Sequence, residues 1–136
     1  MPTVLFADGD RDQREIFGEF LSSRGMQVET ASDGLECIAK VRAAPPDVLI
    51  LDAELLWGGG DGVLDWLRKE RCRDQIPVIL TATAGVAPVI EPPIVAFLPK
   101  PFALGPLLEK VRAMLPAKQV ESPLCVSTCC SEFYYG

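Results

Sequence analysis

The apolar residues of this chain fall into short uninterrupted runs that alternate with longer stretches in which apolar positions recur at helical spacing. The clearest run lies in residues 46–52, P-D-V-L-I-L-D, and ends at Asp52. Two prolines precede it and stop any helix arriving from upstream, and four apolar residues are too few for a helix of ordinary length. This run therefore predicts a strand that is buried on both faces, as in a parallel sheet.

Four more strands are predicted, two before this one in the chain and two after it, with helices between them. The helices are expected to bury one apolar stripe each, formed by Ile16, Phe17, Phe20 and Leu21 in the first, Leu35, Ile38 and Val41 in the second, and Leu107, Leu108, Val111 and Leu115 in the last. The predicted strands cover residues 3–7, 26–30, 76–80 and 94–98, and the predicted helices cover residues 11–24, 34–43, a stretch around 63–67, and 103–115.

Glycine and proline modify this pattern at two places. Residues 58–62 read G-G-G-D-G and predict a mobile loop before the third helix. Residues 85–93 carry three prolines where the fourth crossover helix should lie, and an interior proline costs about 3 kcal/mol in a helix. The sequence thus predicts a doubly wound α/β fold with a five-stranded parallel sheet, in which the fourth crossover helix is degenerate or missing.

Length and composition indicate one globular domain over residues 1–116, with residues 117–136 as a flexible tail or the start of a linker. A formal net charge of −6 without a basic run argues against nucleic-acid binding by this domain. No apolar run reaches the length of a membrane span and no secretory signal is evident, so we expect a cytoplasmic protein without a membrane partner. The absence of histidine excludes catalytic triads and metal sites that need it.

Four chemically useful side chains follow the predicted strands at their ends: Asp8, Asp52, Thr81 and Lys100. The carboxyl ends of parallel strands meet at one edge of the sheet, so we expect these groups to share a crevice. Two carboxylates can bind Mg²⁺, which prefers oxygen ligands. In phosphoryl transfer, a carboxylate can act as the nucleophile, and a hydroxyl and an ammonium can bind the phosphoryl oxygens. Asp52 is the best candidate for the nucleophile because its strand is the most buried.

From residue 3 to about residue 115, the chain resembles the receiver domain of two-component response regulators. The resemblance is carried by V-L-F-A-D-G-D with Arg14 downstream, P-D-V-L-I-L-D, D-G-V-L-D-W-L-R, P-V-I-L-T-A and F-L-P-K-P-F. It implies a flavodoxin-like sheet of strand order 2-1-3-4-5 and a bound Mg²⁺. The implied roles are phosphoacceptor for Asp52, metal ligands for Asp8, Asp52 and the backbone carbonyl of Glu54, switch hydroxyl for Thr81, phosphate-pairing lysine for Lys100, switch aromatic for Phe97, and a cis peptide bond before Pro101.

Three features depart from that family pattern. Gly9 stands where the family usually has a second acid, which puts Mg²⁺ affinity in question unless Asp10 takes its place. The loop after Asp52 is long and rich in glycine. The proline-laden segment 85–93 alters a face that family members use for dimerisation and output.

The leading functional hypothesis is a signalling module that accepts a phosphoryl group on Asp52 from a histidine kinase or phosphotransfer protein and switches a protein-binding face. The output partner is unknown, a homodimer is left open, and no enzymatic activity is expected beyond self-phosphotransfer and autodephosphorylation. The alternative is a pseudo-receiver that acts as a phosphorylation-independent scaffold. A flavin carrier or an aspartate-nucleophile phosphatase would suit the fold but lacks its sequence motifs.

Overall fold

The computed structural model describes residues 1–55, 59–70, 76–83 and 90–115. These residues form one five-stranded parallel sheet of strand order β2-β1-β3-β4-β5 with four helices. In chain order the elements are β1 (Thr3–Ala7), α1 (Arg11–Ser23), β2 (Gln27–Ala31), α2 (Gly34–Ala43), β3 (Val48–Asp52), α3 (Gly59–Lys69), β4 (Val78–Thr83), β5 (Ile94–Lys100) and α4 (Leu104–Met114).

The continuous apolar runs explain which strands are central. All five residues of β3 are buried, because the strand is paired on both sides and covered on both faces. The outer strand β2 instead alternates exposed and partly covered positions. Register aligns Asp52 with Thr81 across β3 and β4, and Thr83 with Lys100 across β4 and β5. The strand ends that carry polar side chains therefore meet at the carboxyl edge.

The sheet separates two apolar cores. One lies under α2 and α3 and includes Cys37, Val41, Val63 and Leu67. The other lies under α1 and α4 and includes Phe17, Leu21, Leu107 and Val111. Each core takes alternate residues of the central strands, so the sheet is held from both faces and its carboxyl edge is left as a rigid rim.

The sequence-based predictions of the fold are confirmed: the strand order is 2-1-3-4-5, and residues 90–93, which lead into β5, contain no helix. Residues 84–89 of the proline-laden segment, like the predicted tail at 117–136, lie outside the described residues. The peptide bond between Lys100 and Pro101 is cis, as the resemblance implied. No helix in the described part of the chain is long and apolar enough to cross a membrane.

Two predictions were wrong in detail. The glycine-rich loop predicted at 58–62 is helical from Gly59, because packing of the apolar stripe that follows carries the helix back over the glycines. Ile16 and Leu35 were predicted to face the core but are 50% and 65% exposed. Ile16 and Leu35 lie at the margin of the apolar stripes of their helices. The core is contacted instead by Phe17 in α1 and Ile38 in α2.

Candidate functional site

Asp8 follows β1 and is held by three hydrogen bonds. Its backbone N–H donates to the Ala31 carbonyl (3.0 Å), and its own carbonyl accepts from Nη1 of Arg14 (2.8 Å). Its Oδ1 accepts the N–H of Asp10 at 2.8 Å. Only 2% of the residue is exposed, and its second carboxylate oxygen, Oδ2, faces the Lys100 ammonium at the end of β5.

Asp52 ends β3 and is bound in the same manner as Asp8. Its Oδ1 accepts the N–H of Glu54, two residues further on, at 3.0 Å. The residue is 5% exposed. Both carboxylates thus use one oxygen for a local backbone turn and keep the other oxygen for a common centre.

The ammonium group of Lys100 lies between the two remaining carboxylate oxygens. Its Nζ lies 3.0 Å from Oδ2 of Asp8 and 3.2 Å from Oδ2 of Asp52, so one ammonium is shared by two buried carboxylates. Burial opposes the charged form of the lysine, but hydrogen bonding and the charges of Asp8 and Asp52 outweigh it, and the pKa of Lys100 is raised. The ammonium therefore stays charged at neutral pH.

Thr81 and Phe97 complete the set of predicted side chains. Thr81 is opposite Asp52 in the sheet and is 1% exposed, and its carbonyl accepts the N–H of Ala53 at 2.8 Å. Phe97 lies on β5 and is partly buried against the core under α2 and α3. The structure thus brings Asp8, Asp52 and Lys100 into direct contact and places Thr81 opposite Asp52 in the sheet, whereas Phe97 packs against the apolar core.

Asp10, which was considered as a replacement metal ligand, caps α1. Its Oδ1 accepts the N–H groups of Asp12 (2.9 Å) and Gln13 (3.4 Å). A side chain at this N-cap position satisfies helix donors that have no other partner. Moving the Asp10 carboxylate into the site would therefore uncap the helix.

Sequence reasoning missed a contact at the rim of the site. The hydroxyl of Thr83 donates to Oε1 of Glu54 at 2.8 Å and joins the segment after β3 to the end of β4. No local sequence signal marks this pair. It follows only from the register, since Asp52 and Thr81 are opposite each other and the two residues lie two positions beyond them.

The residues present fit a Mg²⁺ ion with a reduced ligand set. Oδ2 of Asp8 is buried and makes no aligned hydrogen bond, although the Lys100 ammonium is within ion-pair distance. Mg²⁺ commonly uses one or two carboxylates and retains water, so Asp8, Asp52 and the Glu54 carbonyl form an adequate set. No cluster of three or more metal-binding side chains occurs in the described ranges.

A cleft of about 340 Å³ opens beside Lys100. Its walls are the aromatic rings of Phe17 and Phe102 and the ring of Pro101, and Asp10, Gln13 and Thr83 complete its lining. The Lys100 side chain is 23% exposed and that of Asp52 is 7% exposed. The site is therefore deep but connected to solvent.

Comparisons with known proteins agree with this geometry. The sequence model of the family described as the response regulator receiver domain matches residues 4–112. The chain is 37% identical over 116 residues to response regulator MprA of Mycobacterium leprae, covering 82% of this chain and 50% of that protein. It is 35% identical over 122 residues to the protein of the same name from Mycobacterium ulcerans, covering 87% and 52%. The chain thus spans about half the length of these curated relatives.

Solved structures show the same fold. The chemotaxis protein CheY4 of Vibrio cholerae superimposes with a TM-score of 0.75 at 28% identity, covering 85% of this chain and 99% of that one. A Francisella response regulator receiver domain gives a TM-score of 0.76 at 24% identity, covering 84% and 96%. From the buried acidic pair, the shared lysine and these matches together, we conclude that the chain belongs to the response regulator receiver domain family of two-component systems.

Proposed function

We propose that Asp52 accepts a phosphoryl group from a phosphohistidine of a partner histidine kinase or phosphotransfer protein. The observation that carries this proposal is the convergence of Asp8, Asp52 and Lys100 at one solvent-connected rim, with Oδ2 of each aspartate turned toward the same ammonium. The Lys100 ammonium in this cluster can balance the negative charge of an arriving phosphoryl group. An ordinary ion pair at the protein surface has no such role.

In the proposed transfer, a carboxylate oxygen of Asp52 attacks phosphorus as the bond between phosphorus and the donor imidazole nitrogen breaks. The nitrogen leaves with the electron pair of the broken bond, and the donor ring, which carries a proton on its other nitrogen, is released as neutral imidazole. No external oxidant or base is therefore required. The product is an acyl phosphate on Asp52. Because Oδ1 is fixed by the Glu54 N–H, the carboxylate is presented in one orientation toward the opening.

Mg²⁺, when bound, supplies positive charge to the phosphoryl oxygens as they gain charge in the transfer. In this chain Asp8, Asp52 and the backbone carbonyl of Glu54 would hold it. Asp8 keeps its place without the cation, since its three hydrogen bonds use the other atoms of the residue. Oδ2 of Asp8 is therefore available as a ligand with no reorganisation of the β1–α1 turn.

The signalling step follows from the movement of two side chains toward the new phosphoryl oxygens. Lys100 exchanges the Asp52 carboxylate for the phosphoryl group, and the hydroxyl of Thr81, in the adjacent strand, donates to it. Phe97 on β5 is only partly buried, and its ring can move into the space that the Thr81 side chain leaves. These charge-assisted contacts bias a two-state equilibrium and alter the face around β4 and β5.

Receiver domains are signalling domains rather than conventional enzymes, and we propose that a histidine kinase and an output protein or domain are the partners of this one. No observation favours the alternative of a phosphorylation-independent scaffold. The cytoplasmic location and the lack of nucleic-acid binding by this domain stay predictions. Whether the protein forms a homodimer is left open.

The proposal is tested by incubating the protein with acetyl phosphate and Mg²⁺ and measuring its intact mass. We expect one added phosphoryl group, absent in Asp52→Asn and present in Asp12→Asn, which removes an exposed carboxylate on α1. Equal labelling of Asp52→Asn and the unaltered protein would reject Asp52 as the acceptor, and no labelling of any form would reject the function.

A further inference from the structure

We propose that Arg14 is a positioning residue for phosphoryl transfer. Its guanidinium fixes the turn after β1, so that the Asp8 carboxylate faces Lys100. The role rests on the proposed function and deepens it, because Arg14 acts on the site through the backbone of Asp8 and not on the reacting atoms. Without this side chain, the site keeps its reacting groups and loses their alignment.

Two backbone hydrogen bonds hold Asp8, one on each side of its Cα atom. The N–H donates to the Ala31 carbonyl of β2 at 3.0 Å, and the carbonyl accepts from Nη1 of Arg14 at 2.8 Å. In the described part of the chain, no other group donates to that carbonyl. Each residue has two soft backbone torsions, and these two bonds restrain one torsion each. Both bonds are therefore needed to give the side chain one direction.

The turn itself supplies little restraint, because Gly9 follows Asp8. Glycine adopts backbone angles that other residues avoid. A Cβ atom built on Gly9 would meet one group within 4 Å, the Ser32 carbonyl at 3.9 Å, so no packing holds the turn there. The Asp10 N–H binds Oδ1 of Asp8 and fixes the rotation of the carboxylate, but not the backbone from which it projects. That restraint comes from Arg14.

Arg14 is bound differently from its neighbour Arg11 on the same helix. Arg11 is exposed and pairs with Glu15 at 3.1 Å. Arg14 is partly buried between α1 and β2, in the wall of an open cleft of about 530 Å³ that Glu15 and Glu19 also line. Within the described ranges it nevertheless pairs with no carboxylate, and its guanidinium donates to the Asp8 carbonyl. This choice of partner indicates a role in the turn rather than in a surface ion pair.

The position of Asp8 affects the rest of the site. Its Oδ2 lies 3.0 Å from Nζ of Lys100, and the same Nζ lies 3.2 Å from Oδ2 of Asp52. A rotation of the Asp8 backbone would carry its carboxylate away from the ammonium and leave Lys100 with Asp52 alone. Because a misplacement of about 1 Å can cost on the order of 100-fold in rate, one lost hydrogen bond at the turn can slow the transfer to Asp52.

The first test compares the labelling rates of Arg14→Met and Arg11→Met by acetyl phosphate and Mg²⁺, followed by intact mass. We expect about tenfold slower labelling for Arg14→Met. The rate of Arg11→Met, which removes an exposed arginine from the same helix, should equal that of the unaltered protein. Arg14→Lys keeps one cationic donor on a flexible stem and should recover part of the lost rate. Equal labelling of Arg14→Met and Arg11→Met would overturn the inference.

Amide hydrogen exchange gives a second measurement, which does not depend on phosphorylation. The Asp10 N–H donates to Oδ1 of Asp8, and the Glu54 N–H donates to Oδ1 of Asp52. In Arg14→Met we expect about tenfold faster exchange at Asp10 and no change at Glu54, because only the first turn is loosened. General destabilisation would accelerate both amides. Equal acceleration of the two, or no change at Asp10, would overturn the inference.

Gly9→Ala separates positioning from stabilisation. Alanine narrows the backbone freedom of the turn, its Cβ fits, and Gly9 has no positive φ. If Arg14 acts by holding the turn, Gly9→Ala should raise the labelling rate of Arg14→Met about threefold more than that of the unaltered protein, in a double-mutant cycle. An equal effect in both backgrounds would overturn the inference and leave Asp52 as the acceptor. No labelling of the unaltered protein would overturn the proposed function, and exchange at Asp10 would still decide whether Arg14 holds the turn.

Discussion

Asp47 precedes β3 and Asp52 is its last residue, and the two carboxylates are bound in different ways. Before the strand, Oδ2 of Asp47 accepts the N–H (2.8 Å) and the hydroxyl (3.3 Å) of Thr3, and the Asp47 N–H donates to the Thr3 hydroxyl oxygen at 3.1 Å. At the end of the strand, Asp52 shares one ammonium with Asp8. The amino edge is closed by neutral donors and joins β1 to β3, whereas the carboxyl edge collects charges that remain incompletely matched.

This difference separates a structural carboxylate from a functional one. A carboxylate whose oxygens accept from neutral donors stabilises the fold and has little to offer a ligand. Two buried carboxylates that share one cation oppose each other, and the fold keeps them in place through local backbone bonds. We therefore expect substitutions at the two edges to change stability and phosphorylation in different combinations.

The largest effect is expected for Lys100→Met, which leaves the two carboxylates at the carboxyl edge without their shared ammonium. The free energy of unfolding should fall by about 2–3 kcal/mol, because breaking a buried pair strands the remaining charge. The rate of phosphorylation by acetyl phosphate should fall about tenfold or more. Urea denaturation and intact-mass kinetics measure the two quantities, with the exposed lysine variant Lys69→Met as control. Unaltered unfolding and labelling would contradict the assigned role of Lys100.

At the amino edge, Asp47→Ala should lower the free energy of unfolding by about 1–2 kcal/mol, because Thr3 loses the acceptor for its N–H and hydroxyl. Its initial phosphorylation rate should equal that of the unaltered protein. Asp47→Asn keeps one acceptor oxygen and should lose less stability. A phosphorylation defect in a folded Asp47→Ala protein would show that the two edges are not independent.

Asp8→Asn should have the opposite pattern. The amide can still accept the Asp10 N–H, and removing one charge relieves the opposition between Asp8 and Asp52, so the free energy of unfolding should stay constant or rise by about 1 kcal/mol. Added Mg²⁺ should stabilise the unaltered protein and not this variant. Urea denaturation with and without Mg²⁺ gives both results. A loss of stability as large as that of Asp47→Ala would refute the contrast.

The smallest effect is expected for Glu36, a carboxylate near the carboxyl edge that accepts from the neutral groups of Ser32 and also lies 3.2 Å from the Lys40 ammonium. The Ser32 backbone N–H donates to it at 2.7 Å, and this bond is the main reason that its pKa is lowered from the ordinary 4.5. A lowered pKa adds stability above the ordinary pKa and loses it as pH falls through the folded-state value. Glu36→Gln should therefore cost stability at pH 7 and less at pH 3, with Glu19→Gln as the control for an exposed charge on α1.

Much of the fold follows from local pattern. The run from Val48 to Leu51 is apolar on both faces, which is why β3 and its central place could be predicted from the sequence. Helix boundaries depended more on tertiary packing. Gly59 lies in α3 despite its low helix propensity, and the exposed Ile16 and Leu35 show that apolar spacing alone does not decide which side of a helix is covered.

The site was predictable where it depends on strand ends and unpredictable where it depends on register. The positions of Asp8, Asp52 and Lys100 follow from parallel topology, because Asp8 follows β1 and the other two end β3 and β5. Thr81 was expected just after its strand but lies within β4, which continues to Thr83, and it is still opposite Asp52. The bond between Glu54 and Thr83 and the pair of Thr3 and Asp47 require the alignment of separate strands, which no local pattern encodes. Asp10 was considered from the sequence as a replacement metal ligand, whereas in the structure its carboxylate caps α1.

The most direct test of the central claim is to locate the acyl phosphate. The phosphorylated protein is reduced with borohydride, which converts an acyl phosphate to an alcohol, and the peptides are then sequenced by mass spectrometry. We expect the conversion at residue 52 and at no other carboxylate, with Mg²⁺ required. Conversion at Asp8 or Glu54 instead, or a phosphorylated protein in which residue 52 is unmodified, would contradict the account.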